Sequence, residues 1–284
     1  PANQLTWHVT MKQQKPAHRI SRVIAYLILG YLIASLYAVY ISHSLLFIPP
    51  KTSTYTNSSS LIHIPVNDHR IAAVYLKNTQ AHYTLLFSHG NATDLGRVYP
   101  FLTTLQQHGF AVLSYDYAGY GLSTGSPSET NTYQDVLAAY RYLTEQQHVP
   151  PAQVISMGNS LGAALAVYLA EQRPTAGLIL MSPFTSAYRV MTRIRLFLFD
   201  KYDNSTRIPR IHTPLLIIHG TRDSVIPFWH GKALYNAANQ PKTFAPIPGA
   251  NHNNLQREYS QPLMHAIMQF TQGLKPPRPP HAGH

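Results

Sequence analysis

Three residues, far apart in the chain, have the types and local settings of a nucleophile, an acid and a base. Ser160 lies in Gly158-Asn-Ser-Leu-Gly162, with Val154-Ile-Ser-Met157 before it and Leu161-Gly-Ala-Ala-Leu-Ala-Val-Tyr-Leu-Ala170 after it. The first run reads as a buried strand and the second as a helix. A tight strand-to-helix turn lifts a serine hydroxyl clear of the sheet and sets it at a helix N-terminus, where backbone N–H groups can stabilise an oxyanion. Glycines suit positions 158 and 162 because a Cβ at either would crowd the neighbouring strand or helix.

A serine hydroxyl is a weak nucleophile without a base, and the base needs a third group to orient it. Leu215-Leu-Ile-Ile-His-Gly-Thr-Arg-Asp223 places Asp223 on the loop leaving a buried strand. Asp200 and Asp203 follow no strand, and Asp116 precedes the serine and reads as structural. Gly249-Ala-Asn-His-Asn253 follows the apolar run Thr243–Ile247 and precedes the last helical pattern, so His252 is the expected base. The other histidines weighed against it are less well placed: His219 lies within a strand, and His230 and His265 on helices. His89-Gly-Asn-Ala92 ends the run Tyr83–Phe87. By position, the backbone N–H groups of Asn91 and Leu161 are the expected oxyanion donors, with His89 supporting the loop.

The elements that must hold these residues alternate. Short β-rich runs at Leu61–Val66 and Ile71–Leu76 flank Asn67-Asp68-His69 and predict a hairpin. Strand-length runs follow at Tyr83–Phe87, Ala111–Tyr115, Val154–Met157, Leu178–Met181, Leu215–His219 and Thr243–Ile247. Helical patterns lie between them at Leu95–Gln107, Thr132–Gln147, Leu161–Gln172, Trp229–Ala238 and Gln261–Leu274. Strand alternating with helix predicts a mainly parallel sheet covered on both faces. Ser182–Pro214 falls between two strands and reads as a cap. Its Phe184, Phe197 and Phe199 are candidate substrate-binding residues.

Val23–Ile41 is apolar apart from Gly30, Ser35 and four tyrosines. As a helix it would be roughly 28 Å long, close to the hydrocarbon thickness of a bilayer. It is longer than the apolar core of a signal peptide, so it reads as an uncleaved anchor. Residues 1–22 then form a basic cytoplasmic tail, 42–60 a Ser/Thr-rich linker, 61–274 the catalytic domain and 275–284 a Pro-rich disordered tail. Lys12, Lys15, Arg19 and Arg22 precede the apolar run and only Lys51 follows it closely. The positive-inside rule therefore predicts a single-pass protein with its catalytic domain on the periplasmic or extracytoplasmic side.

The net charge is +11, with part of the excess in that tail and the remaining Lys and Arg scattered. No zinc-finger spacing, RNP motif or dense basic helix accompanies it, so nucleic acid is not an expected partner. The chain has no cysteine, which excludes disulfides, thiolate metal sites and a Cys nucleophile. It also lacks H-E-x-x-H, a P-loop and G-x-G-x-x-G, and neither metal nor organic cofactor is expected.

Taken together, His89-Gly-Asn-Ala-Thr-Asp94, Ser114-Tyr-Asp-Tyr-Ala-Gly-Tyr-Gly121, Gly125-Ser-Pro-Ser-Glu129, the Ser160 segment, Ile217-Ile-His-Gly-Thr-Arg-Asp223 and Gly249-Ala-Asn-His-Asn253 form an ordered set. The set resembles the α/β-hydrolase-domain serine hydrolases that include the animal protein depalmitoylases. Leu45-Leu-Phe-Ile-Pro-Pro50 is similar too, so the resemblance runs from about Leu45 to Leu274. It implies the α/β-hydrolase fold with an eight-stranded, mostly parallel sheet, and cofactor-free cleavage of a small-molecule or lipid-like acyl ester or thioester. It departs at the N-terminus, where the depalmitoylases carry a lipidated Cys-rich segment and this chain a Cys-free apolar run. An acyltransferase or a peptidase could use the same triad. A non-catalytic binding protein on this fold would show a broken triad, and here all three positions are filled.

Overall fold

The computed structural model describes residues 16–192 and 196–274. Most of the basic tail, the Arg193–Arg195 stretch of the cap and the Pro-rich tail lie outside them. Two compact units divide at Leu45/Leu46. The first contains helix α1 (Pro16–Leu46), whose Ile20–Leu46 stretch is long and apolar enough, with a mean hydropathy of 2.0, to cross a membrane. It is longer at both ends than the run Val23–Ile41, because the polar residues at its margins still continue the helix.

The second unit is built on one sheet. Among the described residues its strands are β1 (Ile62–Val66), β2 (His69–Leu76), β3 (Thr84–Ser88), β4 (Ala111–Tyr115), β5 (Val154–Asn159), β6 (Gly177–Met181), β7 (Leu215–Gly220) and β8 (Lys242–Ile247). Their order is β1-β2-β4-β3-β5-β6-β7-β8. β1–β2 and β2–β4 pair antiparallel and the rest parallel. The helices among the described residues are α2 (Leu95–Gln107), α3 (Glu129–Arg141), α4 (Leu161–Gln172), the short α5 (Ala187–Thr192) and α6 (Asn204–Arg207) within the segment expected as a cap, α7 (Trp229–Ala237) and α8 (Ser260–Gln272).

The apolar runs of the parallel strands lack polar alternation because both faces are covered. Successive side chains point to opposite sides. Leu86, Leu113, Leu178 and Ile217 pack with α3, α4 and α7, whereas Leu85, Val112, Ile179 and Leu216 pack with α2 and α8. The strand expected at Thr243–Ile247 is β8, an edge strand and less buried than its neighbours.

Two elements differ from expectation. α3 starts three residues before Thr132, where Ser128 caps it by accepting from Asn131 N–H, and its α-helical turns end at Arg141, followed by one π turn over Tyr142–Gln146. Within the stretch expected as a linker, Thr54 and Tyr55 are tied down. Thr54 N–H donates to Asp94 Oδ2 at 2.7 Å and the Tyr55 hydroxyl donates to Asp116 Oδ2. Asp94 also caps α2, and Asp116 Oδ1 accepts from Leu95 N–H at 2.9 Å, so these carboxylates hold the start of the helix behind the His89 loop.

Candidate active site

Ser160 stands between β5 and α4 with φ 55° and ψ −115°, a left-handed conformation that L residues rarely adopt. Its N–H donates to Met181 O on β6 at 2.9 Å, and its carbonyl accepts from Ala163 N–H at 3.0 Å. The turn is tight because two glycines let backbones meet. A Cβ on Gly158 would run into the carbonyl of Gly162, and one on Gly162 into the carbonyl of Ser88 at the end of β3. Strain of this kind is stored where the surrounding structure over-determines it.

Asp223 and His252, the expected acid and base, lie on the loops leaving the two strands farthest along the sheet. Asp223 follows β7. Its Oδ1 accepts from Val225 N–H (3.0 Å) and Ile226 N–H (2.8 Å), and its Oδ2 faces His252 Nδ1 at 2.8 Å. Burial by itself raises this carboxyl, but the bonds from His219, His252 and Ile226 outweigh it and hold Asp223 well below the usual carboxylate range. His252 Nε2 lies 3.1 Å from Ser160 Oγ. With Nδ1 protonated toward Asp223, Nε2 is free to accept the serine proton. The structure thus joins Ser160, His252 and Asp223 in one hydrogen-bonded line.

Two neighbours set that line, and neither was singled out from the sequence. The Asn251 Oδ1 accepts from His252 N–H (2.7 Å), Ser224 N–H (3.1 Å) and Ser224 Oγ (3.0 Å), tying the loop of the base to that of the acid. His219, set aside as a strand residue, is buried with Nε2 2.9 Å from Ile226 O and 3.5 Å from Asp223 Oδ2. Its spacing of four from the aspartate was the available signal.

On the other side of Ser160 runs the His89-Gly90-Asn91 loop. A Cβ on Gly90 would lie 3.6 Å from Ser160 Cβ, so the loop passes directly beside the nucleophile. His89 is fully buried. Its Nε2 contacts Asp116 Oδ1 at 3.0 Å, its Nδ1 contacts Gly90 O at 2.8 Å, and its carbonyl accepts the Tyr117 hydroxyl. Leu161 opens α4, so its N–H is one of the helix-terminal donors that have no partner within the helix.

The three phenylalanines are placed differently from one another. Phe184 is buried in the cluster that contains Leu161, Ile226 and Tyr202, and its carbonyl accepts from Asn204 Nδ2 at 2.9 Å. Phe197 and Phe199 stack on each other at 5.6 Å and meet the edge of Tyr188. Nearby, His230 is buried, and desolvation with the neighbouring His219 pushes it down to about 3. It is therefore neutral, and its Nδ1 accepts from Thr185 N–H at 3.2 Å. Among the described residues no group of His, Asp and Glu is arranged to hold a metal ion.

A serine on a strained turn after the central β5 of an eight-stranded, mostly parallel sheet, with an aspartate after β7 and a histidine after β8 in line with it, is the architecture of an α/β-hydrolase. Known proteins narrow this. Residues 79–205 match the family model described as Serine aminopeptidase, S33. Over 209 residues the chain is 41 % identical to alpha/beta hydrolase domain-containing protein 17B of Xenopus tropicalis, covering 72 % of each protein. It is also 41 % identical over 191 residues to the human protein of that name, covering 66 % of each. Among solved structures, the Pyrococcus furiosus esterase Pf2001 is similar with a TM-score of 0.67 at 16 % identity, over 80 % of this chain and 99 % of that one, a likeness of fold alone. The chain belongs to the α/β-hydrolase-domain family of serine hydrolases.

Proposed function

We propose that this hydrolase cleaves carboxylic esters or acyl thioesters through an acyl-enzyme, with Ser160 as nucleophile, His252 as base and Asp223 as the orienting acid. The observation that carries this reading is the hydrogen-bonded line from Ser160 Oγ through His252 to Asp223, on a turn whose strain presents the hydroxyl. Ser160 Oγ attacks the acyl carbon as His252 Nε2 takes its proton. The negative charge moves to the acyl oxygen, where the N–H groups of Asn91 and Leu161 are the proposed donors. Collapse breaks the bond to the leaving alcohol or thiol, which takes the proton from His252. Water then repeats the sequence on the acyl-serine and releases the carboxylic acid and free Ser160.

α1 supports a lipid-like substrate met at a membrane, and Phe184, Phe197 and Phe199 are the candidate contacts for its acyl chain. Asp223→Asn is expected to lower kcat about 10,000-fold, as loss of the orienting acid does in other triads. Asp200→Asn and Asp203→Asn are expected to stay near wild type, since these carboxylates bond to Tyr188 N–H and Thr206 N–H in the cap. A larger loss in either than in Asp223→Asn would overturn the assignment of the acid. Steady-state hydrolysis of p-nitrophenyl esters and acyl thioesters of increasing chain length reads both the acid and the preferred bond.

The charge asymmetry around α1 supports a single-pass topology with the catalytic unit on the extracytoplasmic side. A phosphatase fused after Leu274 is then expected to be active and a green fluorescent protein fused there dark. The reverse pattern would put the active site in the cytoplasm.

A further inference from the structure

The segment that follows α1 ends on the oxyanion loop. α1 finishes at Leu46, Phe47 is buried with its ring 6.4 Å from Tyr202, and the chain then passes Asn91. Ile48 N–H points at two oxygens, Asn91 Oδ1 at 3.0 Å and the Tyr120 hydroxyl at 3.1 Å. Burial raises the Tyr120 phenol well above its ordinary value, so it keeps its proton. The neutral hydroxyl donates to Asn91 Oδ1 at 2.7 Å. A third donor, Ala92 N–H, reaches the same oxygen at 2.9 Å.

One carboxamide oxygen thus gathers three donors from three parts of the chain. Two of them, Ile48 N–H and the Tyr120 hydroxyl, come from outside the loop, and the third is its own main chain. Ala92 sits at φ 56°, which a residue with a Cβ adopts only when held there. The bond from its N–H to the preceding side chain is such a hold. Tyr120 is fully buried, and its own loop is fixed where Ala118 N–H donates to Asp135 Oδ2 at 2.9 Å. The inner end of the oxyanion loop is held separately by His89, Asp116 and Tyr117. The outer end, beyond Gly90, is held by the Asn91 side chain together with Arg97 Nη1, which donates to Ala92 O at 3.1 Å. Oxyanion stabilisation requires donors already aimed before charge develops, so a loose outer end is a loss felt at the transition state.

We propose that the Asn91 carboxamide, held by the Tyr120 hydroxyl and the Ile48 main chain, is a positioning residue for the oxyanion hole and links it to the segment following the apolar helix. The proposal rests on the hydrolase reading above. It makes the Ile48 main chain part of what positions the oxyanion loop and not only a tether.

The test uses the full chain in nanodiscs, a short p-nitrophenyl ester and a fluorophosphonate probe. Tyr120→Phe, Asn91→Ala and Ile48→Pro each remove one partner, the last deleting the N–H of a half-exposed residue. Each is expected to lower kcat and the labelling rate about 10-fold or more with KM changed less than about twofold, the pattern of an interaction made only in the transition state. Tyr120→Phe/Asn91→Ala should be no slower than Asn91→Ala, because both act through one node. Melting temperatures separate slow folded variants from unfolded ones, and Tyr120→Phe is the smallest change. Native kcat in Tyr120→Phe and Asn91→Ala would overturn the proposal. Native kcat in Ile48→Pro would remove the link to the post-helix segment and overturn it as stated. A wild-type chain that neither labels nor turns over would sink the hydrolase reading first.

Discussion

Replacing Ser160 with Ala is expected to lower ester turnover by about 10,000-fold to a million-fold, the range seen when a triad nucleophile is removed. The melting temperature should not change. The backbone bonds of residue 160, to Met181 O and from Ala163 N–H, survive the substitution, and alanine tolerates the same φ no worse than serine. Only the Oγ contact with His252 disappears. Covalent labelling by a fluorophosphonate should vanish with it. The nearby Ser88 and Ser156 cannot take over, since both are buried, one bonded to the Tyr115 hydroxyl and the other to Ala166 O. Labelling that persists in the folded variant would mean that the nucleophile lies elsewhere.

Gly162→Ala should act on the fold and not on the chemistry. The added Cβ would fall on the carbonyl of Ser88, a backbone atom that cannot rotate away, so α4 and β3 would have to part. Overpacking against a backbone belongs with the largest single-residue effects, about 4 kcal/mol or more. Against a typical stability of about 5–15 kcal/mol, that leaves a marginal or unfolded protein. A thermal melt reads this as a fall of about 10 °C or more, or as loss of soluble folded material. Gly162→Ala with a native melt and native activity would contradict the close approach of helix to strand at the elbow.

The sheet was legible in the sequence because each strand is an apolar run with a turn signal at its end. All eight strands overlap the runs that predict them. The meeting of Asp223 and His252 beside Ser160 was legible by position, since each follows a strand at a sharp change from apolar to polar residues. What escaped was long-range. Thr54 and Tyr55 read as linker because their hydrogen-bond partners lie 40 and 61 residues away, and no local pattern records such a partner. The side chains of Asn91, expected at the site only for its main-chain N–H, and of Asn251 escaped for the same reason, since the structure, not the spacing, shows three donors converging on each side-chain oxygen. The start of α3 was missed because the cap Ser128 sits in a Gly/Pro/Ser stretch that looks like loop.

The order of strands also bears on how the protein comes into being. β3, β4 and β5 lie in the middle of the sheet, whereas β8, at the far edge, and the loop carrying His252 come from the last part of the described chain. As the described residues leave the ribosome, α1 precedes the sheet, Ser160 follows β5 and His252 emerges only after β8. A product stopped before β8 holds Ser160 and Asp223 but lacks the imidazole proposed to take the serine proton and pass it to the leaving group. Under the proposed triad the chain therefore stays silent until the loop after β8 is added, and synthesis itself works as a safety catch.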